Sequence, residues 1–180
     1  MIAEKTFIEG LLVIKPKVFE DERGYFFESF NEQILEQAGL NGKFVQDNQS
    51  LSQKNVLRGL HFQAPPFAQG KLVRVIKGSA LDVVADIRKN SPTYGKCFSI
   101  ELNEQNKTML WVPEGFAHGF CTLLDNTIFY YKCTNYYNKA SEGSVAWNDA
   151  DLKINWEIEN PILSEKDKAG IAFKDFVSPF

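Results

Sequence analysis

The sequence predicts a mainly β fold, a sandwich or jelly roll with a few short peripheral helices. Three observations lead there. From Ser91 to Asp149, short apolar runs follow one another at close spacing, each broken by Pro, Gly or Asn. Around Lys77 to Ser79, two runs rich in Val and Ile alternate in polarity with a period of two. Helical spacing of apolar residues is confined to short stretches. The 180 residues, 44% of them hydrophobic, suit one domain spanning 1–180 with a substantial core.

Taken in order, the chain opens with LLVIKPK, Leu11 to Lys17, and continues as VFEDERGYFFESF. There Glu20 to Gly24 is a polar turn between aromatic-rich segments, the pattern of a hairpin. Arg23 and Glu28 flank its second arm, and each alone reads as a solvated turn or edge charge. Asn31 caps a short helix, EQILEQA, whose Ile34, Leu35 and Ala38 fall at helical spacing before the stop at Gly39. In FVQDNQSLS, Gln46, Asp47 and Asn48 offer groups suited either to a heterocyclic base edge or to an Asx turn. KLVRVIKGSALDVVADIRK makes two strands around the turn at Lys77 to Ser79. Asp82 and Asp86 share the parity of Val84, which puts two acids on the face that a simple sandwich fills with apolar residues. A buried acid needs a partner, and an imidazole is one candidate. Near the C-terminus Ser164 caps SEKDKA with Asp167 at the third helical position, so capping is the ordinary role of that carboxylate.

The chemistry concentrates in Asn55 to Arg74, NVLRGLHFQAPPFAQGKLVR, which carries one of only two histidines. Imidazole is the side chain whose unperturbed pKa lies near neutrality. His61 stands between two cations of different geometry, Arg58 and Lys71, which suits proton transfer beside an anionic substrate. A flat strand would send Arg58 and His61 to opposite faces. Gly59 between them marks a place for a bulge that re-aims one of the two.

Composition removes several classes of function. A net charge of -3 with no block of like charge argues against nucleic acid as a principal partner. The N-terminal MIAEKTFIEG lacks the apolar core of a signal peptide, and no apolar run approaches membrane-spanning length. Cys97, Cys121 and Cys133 are widely spaced without a C-x-x-C, which fits a reduced cytoplasm. No dinucleotide, P-loop or serine-nucleophile motif is present. Two histidines with scattered carboxylates make a poor ligand set for zinc or non-haem iron, so neither a metal nor another cofactor is expected.

Trp111 to Phe120, WVPEGFAHGF, sets Pro113, Gly115 and His118 in a P-x-G-x-x-H arrangement that resembles the second motif of cupin jelly rolls. Leu60-His61-Phe62 stands where a metal-binding cupin would carry H-x-H. With DERGYFFESF, FVQDNQS, NVLRGLHFQ, AQGKLVR and YKCTNYYNKASEGSVAWND, the chain resembles the metal-independent dTDP-4-dehydrorhamnose 3,5-epimerase family. The resemblance implies a cupin-like jelly-roll β-sandwich that inverts C3 and C5 of a dTDP-linked 4-keto-6-deoxy sugar. It implies His61 as the base, Lys71 beside the enolate oxygen, and Tyr131 as the opposing proton donor; strand parity sends the adjacent Tyr130 the other way, in a packing role. Asp167 is the implied partner of His61, with Asp82 the second choice. Arg23 and Arg58 match diphosphate-binding positions. Glu28, Gln46, Asp47, Asn48, His118, Glu142 and Lys166 match further substrate contacts. A nucleotide-diphosphate sugar substrate and a homodimer, formed through the apolar segment that ends before Lys15, are the implied partners.

Two other classes stand beside this reading. One is an epimerase acting at a single carbon, or a ketoisomerase of a related nucleotide-linked sugar. The other is a non-catalytic jelly roll that binds a sugar nucleotide, which would not need His61, Lys71 and Tyr131 together.

Overall fold

A computed structural model describes residues 1–40 and 42–180. Its strands are Ile2–Lys5 (β1), Leu12–Lys15 (β2), Phe19–Asp21 (β3), Gly24–Phe26 (β4), Gln46–Ser52 (β5), Leu57–Gln63 (β6) and Lys71–Lys77 (β7). They continue as Ser79–Asp86 (β8), Cys97–Asn103 (β9), Met109–Val112 (β10), Phe116–Thr122 (β11), Thr127–Cys133 (β12) and Glu142–Ser144 (β13). Two short helices are Glu32–Gln37 (α1) and Glu165–Lys168 (α2). One antiparallel sheet has the order β1-β2-β10-β7-β12-β5, and the other β13-β6-β11-β8-β9.

The two sheets face one another because strand parity gives each an apolar inner row. Val73 and Val75 from β7 and Phe129 from β12 pack against Ala80 and Val84 from β8 and Phe116 and Phe120 from β11. The rings of Phe120 and Phe129 stack with centroids 3.9 Å apart. Burying each such side chain fully contributes roughly 1.5–3 kcal/mol. The outer face of the five-stranded sheet, with Leu57, Leu60, Val83 and Ala117, is covered by C-terminal residues including Leu152, Trp156, Phe173 and Phe176. On the six-stranded sheet, Leu12, Ile14, Leu72 and Trp111 meet Leu35 and Leu40.

Helix α1 begins where Asn31 Oδ1 accepts the Ile34 N–H at 3.3 Å. It stops at Gly39, whose φ of +91° suits glycine. Helix α2 has the full capping box, with Ser164 and Asp167 each serving the other's backbone N–H.

Two local expectations change. The N-terminal hairpin is only β3 and β4, with Asp21 opposite Gly24, whereas Leu12–Lys15 joins the large sheet between β1 and β10. The turn at Lys77 to Ser79 closes no hairpin: β7 and β8 belong to different sheets, so this corner carries the chain across the sandwich. Local alternation cannot distinguish a hairpin turn from a corner, since both follow two strands of the same pattern.

Both acids on β8 are fully buried, and each has its partner. Burial pushes the Asp86 carboxyl up, but hydrogen bonds from Arg88, Ser91 and Thr93 outweigh it and hold the group down at about 2. Asp82 meets an imidazole, His118.

Candidate active site

At one end of the sandwich the inner rows turn polar and enclose a cavity of about 530 Å³. The five-stranded sheet contributes Arg58, His61 and His118, and the facing sheet Gln46, Asn48, Lys71 and Tyr131. Glu142, Lys166 and Asp167 complete the wall on the side of β13 and α2.

Arg58 and His61 share this cavity because β6 is irregular between them. His61 is opposite His118 and Arg58 opposite Phe120, so two residues of β6 span one residue of β11. Gly59 has φ +145°, and a Cβ there would meet the Gly119 Cα at 2.5 Å. Only glycine permits that approach. The irregularity brings the guanidinium and the imidazole to the same face.

His61 Nε2 lies 2.9 Å from Asp167 Oδ1, in a pair that is 23% and 4% exposed. The contact is short but poorly aligned as an N–H···O bond, a common condition of catalytic pairs without substrate. Asp167 Oδ1 also accepts the Gly59 N–H at 3.0 Å, and Oδ2 accepts the Ser164 hydroxyl at 2.5 Å. Burial alone would raise this carboxyl, yet the close contact of His61 and the hydrogen bonds from Ser164 and Gly59 prevail and hold it well below the usual carboxylate range. The carboxylate at His61 is therefore ionised and already caps α2. Asp82, the other candidate, contacts His118 Nε2 instead, at 2.9 Å and 3.0 Å.

Across the cavity, Tyr131 and Lys71 project from neighbouring strands, with Lys71 Nζ 5.9 Å from the Tyr131 ring centre. Burial, then the neighbouring Cys133, pushes the Tyr131 phenol up to about 12, with Arg58 opposing. Burial lowers Lys71 below the usual lysine range, while Cys133, Asp82 and Glu142 act the other way. Lys71 makes no ion pair among the described residues. Its charge is free to meet a substrate.

The remaining candidates divide by position. Gln46 and Asn48 line the cavity and are bonded to one another at 3.1 Å. Glu142 and Lys166 form an ion pair on its rim. Asp47, between Gln46 and Asn48, faces the opposite side and binds Lys132 at 2.8 Å and the Tyr130 hydroxyl at 2.7 Å. Tyr130 thus points away from the cavity, into a polar contact rather than plain packing. Arg23 pairs with Asp21, and Glu28 accepts from Asn31, both outside this chain's cavity. Ser50 and Tyr137 line the cavity without having been picked out in the sequence. The parity of Ser50 with Gln46 and Asn48 was the available signal, and its buried hydroxyl has no partner among the described residues. Among those residues no three His, Cys, Asp or Glu side chains cluster as metal ligands.

An imidazole and a phenol on facing sheets, with an ammonium beside the phenol, suit removal and return of a proton at a carbon beside a carbonyl. The family model for dTDP-4-dehydrorhamnose 3,5-epimerase matches residues 5–175. The chain belongs to the dTDP-4-dehydrorhamnose 3,5-epimerase family. The epimerase of Shigella flexneri is 53% identical over 172 residues, covering 95% of both chains. The crystal structure of the epimerase from Elizabethkingia anophelis superposes with a TM-score of 0.93 at 53% identity, covering 97% of each chain. The dTDP-6-deoxy-D-glucose-3,5-epimerase of Legionella pneumophila, solved with dTDP-4-keto-L-rhamnose, gives 0.93 at 44% identity and covers 98% of this chain and 94% of that one. The cupin-like jelly roll is therefore the fold of an epimerase family, and the cavity lies between its two sheets.

Proposed function

We propose that the chain converts dTDP-4-dehydro-6-deoxy-D-glucose to dTDP-4-dehydro-L-rhamnose by inverting C3 and C5, as a step in dTDP-L-rhamnose synthesis. The observation that carries this reading is that His61 and Tyr131 stand on opposite walls of one cavity that also holds Lys71.

The C4 ketone acidifies the hydrogens on C3 and C5. In the chair of a D-gluco sugar both hydrogens are axial on the same face, so one imidazole can take each in turn. His61 accepts the proton, Asp167 supports the resulting imidazolium, and the electron pair of the C–H bond becomes the enolate. Lys71 faces the charge that develops on the C4 oxygen. Tyr131 returns a proton to the opposite face of the carbon. A phenol is a far stronger acid than a ketone α-carbon, so even a phenol raised to about 12 transfers its proton downhill. Exchange with water then removes the proton from His61 and restores the one on Tyr131, and the cycle repeats at the second carbon. Arg58, at the cavity mouth, offers the planar fork suited to a diphosphate.

A homodimer accompanies this reading. Arg23 and Glu28 lie away from this chain's own cavity, so their substrate roles require a second copy. The support is an edge strand, β1, with exposed Ile2 and Phe7 nearby and with Phe19, Tyr25 and Phe26 exposed on the β3–β4 hairpin. No helix among the described residues is long and apolar enough to cross a membrane. Three unpaired cysteines support residence in a reducing cytoplasm.

The test is incubation with dTDP-4-dehydro-6-deoxy-D-glucose in deuterated water, with deuterium at C3 and C5 followed by NMR. Incorporation and inversion at both carbons are expected. Incorporation at one carbon would make the chain a single-position epimerase, and none at either would make it a binding protein.

A further inference from the structure

The proton transfers described above make no use of three glutamines that line the same cavity, Gln46, Gln63 and Gln69. Gln63, the last residue of β6, is 6% exposed. Its Nε2 donates to the Phe67 carbonyl at 2.6 Å and to the Tyr136 carbonyl at 3.2 Å, while its Oε1 accepts the Asn138 N–H at 2.7 Å. Both amide hydrogens of this buried side chain are therefore satisfied. Gln69 Nε2 donates to the Asn135 carbonyl at 2.7 Å, and Gln46 Oε1 accepts the Tyr137 N–H at 2.9 Å. Residues 135–138 follow β12 and belong to no strand or helix. Four of their backbone groups are thus held by side chains from β5, from β6 and from the loop before β7. A glutamine amide offers a donor and an acceptor without a charge, so it substitutes for a neighbouring peptide group.

What this loop carries to the cavity is Tyr137, which is 54% exposed. Its hydroxyl donates to Glu142 Oε2 at 3.1 Å. Glu142 is in turn the ladder partner of Gln63 and the ion-pair partner of Lys166 on the rim. Gln63 stands where loop and rim meet. The bonds run from the cavity wall to the loop, so a shift of the loop is a shift of the wall. With the hexose among His61, Lys71 and Tyr131, the nucleoside at the other end of the diphosphate extends toward this rim. We propose that Gln63 is a positioning residue for substrate binding, whose buried amide fixes the 135–138 loop so that Tyr137 forms a ready-made wall for the nucleoside end. This rests on the nucleotide-sugar reading given above. A wall that is set before the ligand arrives removes the ordering cost that binding would otherwise carry. Gln63 acts through the loop and touches no substrate.

Gln63→Met keeps the length and approximate volume of the side chain and removes its three hydrogen bonds. Two ligands divide the substrate for the test: dTDP has nucleoside and diphosphate, and inorganic pyrophosphate has only the latter. In NMR titrations the dissociation constant of dTDP should rise about tenfold in Gln63→Met, the scale of one impaired base–aromatic contact, with that of pyrophosphate within about twofold of wild type. KM for the sugar nucleotide should rise by a similar factor with kcat within about threefold, the pattern of lost uniform binding. Equal weakening of both ligands would mean a general disturbance of the cavity, and an unchanged dTDP constant would mean that the three bonds serve folding alone; either result overturns the proposal. A wild-type protein that binds dTDP yet exchanges neither C3 nor C5 hydrogen would instead overturn the epimerase reading. A second measurement needs no variant. The amide hydrogens of Tyr137 and Asn138, both bonded to glutamine oxygens, should exchange with deuterated solvent at least about a hundredfold more slowly than an unprotected loop amide in the ligand-free protein. Exchange at the unprotected rate would show that the wall is not set in advance, and the proposal would fall.

Discussion

Replacing Asp167 by Asn separates two demands placed on one side chain. The carboxylate serves His61 and the Gly59 N–H through Oδ1, and the Ser164 hydroxyl and N–H through Oδ2. An amide has one oxygen. If that oxygen keeps Gly59 and His61, the NH₂ group opposes the Ser164 N–H and the reciprocal half of the capping box is lost, at about 1 kcal/mol. The loss of charge on the remaining bonds adds about 1–2 kcal/mol, since bonds to charged groups contribute roughly 1.5–3 kcal/mol against about 1 for neutral ones. Urea unfolding should therefore show a deficit of about 2–3 kcal/mol at neutral pH. The folded-state pKa of Asp167 is depressed, so the stabilisation is present above the ordinary carboxylate value and is lost as pH falls toward the folded value. The gap between wild type and variant should hold down to about pH 5 and shrink below about pH 4. Catalysis should suffer more than folding, with exchange at both carbons slowed by about 10²–10⁴-fold as the imidazolium loses its support. An Asn variant that unfolds as predicted yet exchanges within about threefold of wild type would refute the role assigned to the His61 contact.

Tyr131→Phe should slow inversion by at least about 10²-fold while His61 still removes protons, so deuterium would enter with retained configuration; unchanged inversion in product NMR would remove Tyr131 from the mechanism. The kcat/KM profile should lose activity on the alkaline side below 10.5, because burial lowers Lys71 and only the protonated form stabilises an enolate. A profile flat through 10.5 would count against that role. Gly59→Ala would force a Cβ to within 2.5 Å of the Gly119 Cα at a φ of +145°. A loss of about 3 kcal/mol or more in thermal or urea unfolding is expected, and a mild effect would mean that β6 can shift.

Much of the site was readable from local pattern. The parity of Asp82 and Asp86 with Val84 announced two buried acids on β8, and Gly59 marked the irregularity that brings Arg58 and His61 to one face. Parity also separated Tyr130 from Tyr131. The same rule sets Asp47 apart from Gln46 and Asn48, which the family resemblance groups together, because adjacent residues of a strand cannot share a face. What stayed out of reach depends on distance along the chain. Asp167 meets Gly59 across 108 residues, and no periodicity relates a capping box near the C-terminus to a strand in the middle. The choice between Asp167 and Asp82 as partner of His61 was unresolved for that reason. The corner at Gly78 was ambiguous because the sheet a strand joins depends on pairings such as β2 with β10, formed by segments far apart in sequence.

The inner rows that make the core also make the site, and the change from one to the other happens within single strands. On β7 Lys71 precedes Val73 and Val75, on β12 Tyr131 follows Phe129, on β11 His118 lies between Phe116 and Phe120, and on β8 Asp82 lies between Ala80 and Val84. Each polar group therefore stands one or two residues from a packed apolar layer, with the Phe120–Phe129 stack lining the cavity wall. Low polarity on that side makes every electrostatic contact in the cavity stronger than it would be in water. It also makes an unpaired charge costly, which explains why each imidazole has its own carboxylate, while Lys71, with none in contact, is a group whose charge burial disfavours. A cation held in that condition gains most when a negative oxygen forms beside it, so it favours the enolate over the ketone from which the enolate arises.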